Sequence, residues 1–186
     1  MKIYTITKPL ILVAAIFSCI YLVTSCGDDE VVGCTDPSAE NYNELANTSG
    51  DCTYARDKFL GSYMGSITCP GQLAILSNDS LEFSLVEGLD ANVTSEVILN
   101  ITIDDFPLAL GGSVTGNDFS IMQFLPGVII PNIPIIGSVT ADVTAVGMGM
   151  MINSDTELSA TLELTAVTQT AIGTLKDNCV IRGLKQ

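Results

Sequence analysis

Residues 56–186 are predicted to form an all-β domain, an antiparallel meander of about eight strands closed into a barrel or folded into a sandwich. Three observations predict it. Apolar residues recur with period two, turn residues separate the alternating runs, and no stretch of comparable length carries an apolar stripe at 3.6-residue spacing.

The alternation is clearest in four runs. Leu81, Phe83 and Leu85 alternate with Ser80, Glu82 and Ser84. Val97, Leu99, Ile101 and Ile103 alternate with Ile98, Asn100 and Thr102. Val139, Ala141, Val143 and Ala145 alternate with Thr140, Asp142 and Thr144, and Ala160, Leu162, Leu164 and Ala166 with Thr161, Glu163 and Thr165. Each is rich in the residues that suit a half-buried pleated surface. Ser77-Asn78-Asp79, Glu87-Gly88, Gly111-Gly112, Gly116-Asn117 and Asn153-Ser154-Asp155 supply the turns, and Gly116-Asn117 predicts a tight hairpin between Ser113-Val114-Thr115 and Phe119-Ser120-Ile121. The run from Phe124 to Gly137 is strongly apolar, yet Pro126, Pro131 and Pro134 argue against a central strand. Two roles fit it. Ile129, Ile130, Ile133 and Ile135 form a lip that touches an apolar ligand or partner, or the segment is an irregular crossing that caps one end of the core. Met148, Met150 and Met151 pose the same choice, and methionine commonly fills gaps in a core.

The chain starts with a short segment carrying Lys2 and Lys8, followed by an apolar run from Leu10 to Val23. That run is about 14 residues, short of the roughly 20 that span a bilayer. With small residues after it, it has the form of a secretory signal over residues 1–25. Leu22-Val23-Thr24-Ser25-Cys26 resembles the lipobox of bacterial lipoproteins. The resemblance implies cleavage after Ser25 and lipid on Cys26. A single acyl chain binds a membrane only marginally, so the several chains such a cysteine carries would anchor the protein without a spanning helix. Asp28-Asp29-Glu30, in an acidic linker over residues 26–32, resembles the surface-export signal of Bacteroidota lipoproteins. Outer-membrane location at the cell surface is the expectation that follows.

Cleavage at Cys26 leaves the basic residues Arg56, Lys58, Lys176, Arg182 and Lys185 against all 21 acids, changing a net −14 chain into a −16 one. Such a charge repels nucleic acid, which is excluded as a partner. Cys19 leaves with the signal and Cys26 carries lipid, so four cysteines remain in an exported chain, where disulfides persist. Four allow three pairings. Local order favours Cys34–Cys52 and Cys69–Cys179. Zinc is excluded, because the chain has no histidine and no C-x-x-C spacing.

Residues 33–54, Gly33-Cys34-Thr35-Asp36-Pro37 through Asp51-Cys52-Thr53-Tyr54, resemble a short module of secreted Bacteroidota proteins, with Glu44 standing where that module has proline. Asp36 suits an N-cap and Pro37 the first helical position, so a turn or two of helix is expected to about Asn43. The segment is too small to bury a core of its own, and a bridge would close it. Asp36, Asn41, Asn43 and Asp51 are candidate oxygen ligands for Ca2+, although their spacing is not that of an EF-hand. The other role is a disulfide-closed spacer.

Gly61-Ser62-Tyr63 resembles the Gly-x-Trp opening of lipocalins, with Tyr63 in the place of Trp. The resemblance implies a barrel in which a late arginine, here Arg182, packs on that aromatic. Catalytic patterns are missing: there is no histidine, no Gly-x-Ser-x-Gly and no phosphate-binding glycine loop. Asp104-Asp105 has the spacing of a strand-end turn, since adjacent strand residues face opposite ways. The expectation is therefore a lipid-anchored module without catalytic activity that binds an extracellular protein or glycan. A lipocalin-like carrier of a small apolar molecule is the alternative, and an accessory or weak hydrolase a third.

Overall fold

A computed structural model describes residues 29–90, 92–103, 106–133 and 137–186. The signal, Cys26, the Asp104-Asp105 pair and Ile135 lie outside the described residues. Two short strands come first, β1 (Val32–Gly33) and β2 (Thr48–Ser49), paired in parallel. The remaining eight are β3 (Gly61–Thr68), β4 (Asn78–Glu87), β5 (Glu96–Ile103), β6 (Phe106–Thr115), β7 (Asp118–Ile133), β8 (Gly137–Ile152), β9 (Glu157–Thr168) and β10 (Thr174–Lys185). They form a closed barrel in which each strand pairs with its sequence neighbour and β10 returns antiparallel to β3. The all-β meander is thus a barrel rather than a sandwich.

All four predicted alternations face inward on their apolar side. An eight-stranded barrel is only wide enough for its side chains to fill, and here they do: Tyr63, Phe119, Leu81, Leu99, Leu110 and Leu158 are among those sealed from solvent. Small inward residues on β8 and β10 make room for rings. A Cβ on Gly149 would sit 2.1 Å from Cε1 of Phe119, and one on Gly183 would sit 2.4 Å from Cζ of Phe83. The Phe83 ring stacks on Tyr63 at 5.1 Å between centroids. Over most of the circumference the outward residues are polar, the reverse of a barrel that faces lipid around a wet interior.

Both barrel ends are plugged. At one end a 3-10 turn, Ala55–Lys58, lowers Phe59 against Phe119, with ring centroids 5.7 Å apart. Tyr63 Oη donates to Phe59 O at 2.6 Å and Lys185 Nζ donates to Lys58 O at 2.9 Å, fixing the plug to the first and last strands. Burial pushes the Tyr63 phenol up to about 12, with the charge of Asp155 adding to the effect. Arg182, expected to pack on this aromatic, instead points outward from β10, because its neighbours Ile181 and Gly183 hold the inward positions. At the other end the Cys69–Cys179 disulfide ties the residue after β3 to β10. Asp177, buried on β10, accepts from Gly71 N and Leu73 N at 2.8 and 2.9 Å and so holds the covering loop down.

Two further expectations are corrected. Gly111-Gly112 is not a turn but lies inside β6, where a Cβ on Gly112 would meet the Ser120 carbonyl at 2.5 Å. The proline-rich run is strand as far as Ile133, not an irregular crossing. The prolines are tolerated because this half of β7 pairs only with β8 and forms an edge. Pro126 and Pro131 fall in the two register shifts, Leu125/Val128 and Ile130/Ile133, and Asp142 Oδ1 accepts from Gly127 N at 2.9 Å across the first. The Gly116-Asn117 hairpin has the predicted form, with Thr115 opposite Asp118 and Gly116 at φ 59°.

Candidate functional site

Three of the four side chains proposed for calcium, Asp36, Asn41 and Asn43, accept hydrogen bonds from within the module, whereas Asp51 is bonded only through its backbone carbonyl, which accepts from Asn41 Nδ2 at 2.9 Å. Asp36 Oδ1 accepts from Ser38 N and Ser38 Oγ, at 2.9 and 2.8 Å, and its Oδ2 accepts from Tyr54 Oη at 2.9 Å. The Ser38 amide, the Ser38 hydroxyl and the Tyr54 phenol together hold the Asp36 carboxyl below its ordinary range. Asn41 Oδ1 accepts from Thr53 N, and Asn43 Oδ1 from Leu45 N. Among the described residues no group of three or more histidine, cysteine, aspartate or glutamate side chains converges on one point. The expected helix is a series of turns instead. Glu40 N donates to Thr53 O, across the Cys34–Cys52 bridge, so the i to i−4 ladder never starts. Lys58 Nζ joins the module to the barrel, reaching Glu40 Oε1 at 3.0 Å and Asn117 Oδ1 at 2.9 Å.

The isoleucines do not form one lip. Ile130 and Ile133 point into the core, whereas Ile129 is exposed on the far half of β7. The methionines divide in the same way. Met151 is buried, its Sδ 3.6 Å from Tyr63 Oη, while Met148 and Met150 face solvent.

What the fold does assemble is an apolar outer face on β7 and β8. Register places Met122 beside Val146, Ser120 beside Met148, Asp118 beside Met150 and Phe124 beside Thr144. Alternate residues of a strand share a face, and cross-strand neighbours lie within side-chain reach. Phe124, Met122, Val146, Met148 and Met150 therefore make one continuous band, with Met122 82% and Met148 71% exposed. Scattered single apolar residues need no explanation, whereas these five lie side by side on one face.

Beside this band the barrel wall parts. The β6–β7 ladder ends at Gly112–Ile121, so no residue of β6 before Gly112 and none of β7 after Ile121 is paired across the seam. An open groove of about 570 Å³ lies there. Gly111 and Gly112 form its floor, Met122 and Gln123 one wall, and Leu89 with Ile98 the other. Leu89 is 95% exposed at the turn after β4. Glu96, half-buried at the start of β5, is the only charged side chain in the lining. Arg56, buried against the same end of the barrel, donates from Nη1 to Val93 O at 2.9 Å and lies 3.3 Å from Glu87, so it steadies the loop that carries Leu89.

Comparison with protein-family models, with curated proteins and with solved structures finds no match in any of the three.

Proposed function

We propose that this chain is a lipid-anchored binding module of the bacterial surface, non-catalytic, which meets its partner with the outside of its barrel. The observation that carries this reading is the contrast between a barrel interior filled by side chains and a contiguous apolar band on the outer wall. A carrier needs an interior cavity of a few hundred cubic ångströms, whereas the groove at the seam is open to the outside. The lipobox at Leu22–Cys26 supports the anchor, and the disulfide-closed module supports a spacer between that anchor and the barrel.

The test is native mass spectrometry of the full chain purified from the cells that make it, beside a Cys26→Ser variant. A polypeptide mass increased by acyl chains, lost in the variant and free of any further small molecule, is the expected result. A co-purified apolar compound that survives in Cys26→Ser would replace the binding module with a carrier.

A further inference from the structure

We propose that the groove at the β6–β7 seam takes an extended polypeptide segment of a partner, presenting one arginine or lysine flanked on the same face by apolar residues. The inference rests on the binding-module reading and specifies its occupant. Three features converge on it. The floor at Gly111 and Gly112 has no side chains, so a neighbouring chain can approach the strand closely. The strand edges on both lips are unpaired across the seam beyond Gly112 and Ile121, offering peptide groups to an added strand. The walls carry apolar Leu89, Ile98 and Met122 beside the polar Gln123, while Glu96 is half-buried and makes no salt bridge among the described residues.

A basic side chain satisfies all of these at once. Its methylene stem lies along apolar walls and its charged head reaches the carboxylate. An acidic or aliphatic residue in the same place would leave Glu96 opposed or unpaired. Residues two apart in an extended chain share a face. The fitting segment is therefore apolar-x-basic-x-apolar, its outer apolar residues lying along the apolar side chains of the groove, Leu89, Ile98 and Met122. A second copy of this chain fits less well, because it would bring acids towards Glu96 from a molecule with 21 acidic residues and 7 basic ones.

The probe is the capped peptide Leu-Ser-Arg-Ser-Leu-Ser, titrated into the full chain and followed by backbone amide shifts, beside versions with Gln or Glu in place of Arg. The expected result is saturable shifts centred on Ile98, Gly111, Gly112 and Met122 with the Arg peptide alone. Glu96→Gln should raise its Kd about tenfold. Gly111→Leu should abolish binding by filling the floor. It is a mild change, since a Cβ there meets only Gln123 Oε1, at 3.1 Å. Shifts spread over the acidic faces of the barrel and spacer, or Arg-peptide binding unchanged in Gly111→Leu, would overturn the proposal. So would seam shifts that depend on protein concentration alone, which would make a second copy the occupant. Equal binding of the Gln peptide, unaffected by Glu96→Gln, would remove the basic residue while leaving the binding-module reading standing.

Discussion

Replacing Cys69 and Cys179 together by alanine removes a bridge between residues 110 apart in sequence. Cross-linking stabilises chiefly by restricting the unfolded chain, and for a loop of about 110 residues the chain-entropy treatment gives about 4.8 kcal/mol at 25 °C. The Cys34–Cys52 bridge, over 18 residues, gives about 3.2 kcal/mol by the same treatment. The two also act in different places. The long bridge ties β10 to the residue after β3, across the pairing that closes the barrel, and both of its cysteines are buried. The short one holds a module joined to the barrel by few contacts, among them Lys58 with Glu40. Loss of the long bridge should therefore lower the stability of the whole barrel. At about 2.1 cal/mol/K of unfolding entropy per residue, a domain of about 130 residues should melt about 17 °C lower. Loss of the short bridge should release residues 33–54 and leave the barrel transition nearly in place. Urea unfolding followed by near-ultraviolet circular dichroism measures both. A decrease below about 1.5 kcal/mol for the long bridge, or a larger effect from the short one, would refute the closure argument.

The Tyr63 phenol, pushed up to about 12 from an ordinary 10, predicts an alkaline weakness. Its stabilising contribution, about 3 kcal/mol by linkage, is fully present below pH 10 and is lost as the pH rises through 12. Stability from pH 9 to 12 should fall in wild type and stay flatter in Tyr63→Phe, and parallel curves would contradict this. Asn153, Ser154 and Asp155 all have positive φ, from 51° to 64°, and serine tolerates that region least of the three. Ser154→Gly should therefore raise stability by about 0.5–1 kcal/mol in thermal melts. With Asp36, Asn41 and Asn43 hydrogen-bonded within the module, millimolar calcium should leave the melting temperature unchanged, and an upward shift would favour the metal role.

The parts of the fold that were legible in sequence are those where one physical signal acts alone. Leu81 to Leu85 and Ala160 to Ala166 alternate without interruption, and the inward face followed directly. The Gly116-Asn117 turn was legible because a two-residue loop constrains its own backbone. The far half of β7 was not. Proline excludes a paired central strand, but nothing local to Pro126 and Pro131 says that β6 turns away and leaves an edge. The groove was hidden for the same reason. Gly111-Gly112 has the composition of a turn, and only the register with β7 and the placement of Leu89 convert it into a floor between walls. Met148 and Met151 have the same chemistry and opposite surroundings, and strand parity separates them only once β8 is known to run unbroken from Gly137 to Ile152. Asp177 carried a signal that went unused: it shares its parity with Leu175, Cys179 and Ile181, so an acid there implies a buried partner.

Whether the outer wall at β7 and β8 is where this protein meets its partner can be measured on living cells. A photo-crosslinking amino acid replaces Met148, on the apolar band, in one version of the full chain and Glu82, outward on the opposing strand β4, in another. Irradiation should give a discrete adduct from position 148 and none from position 82. Equal adducts from both positions, or none from 148 with one from 82, would contradict a binding face on the β7–β8 wall.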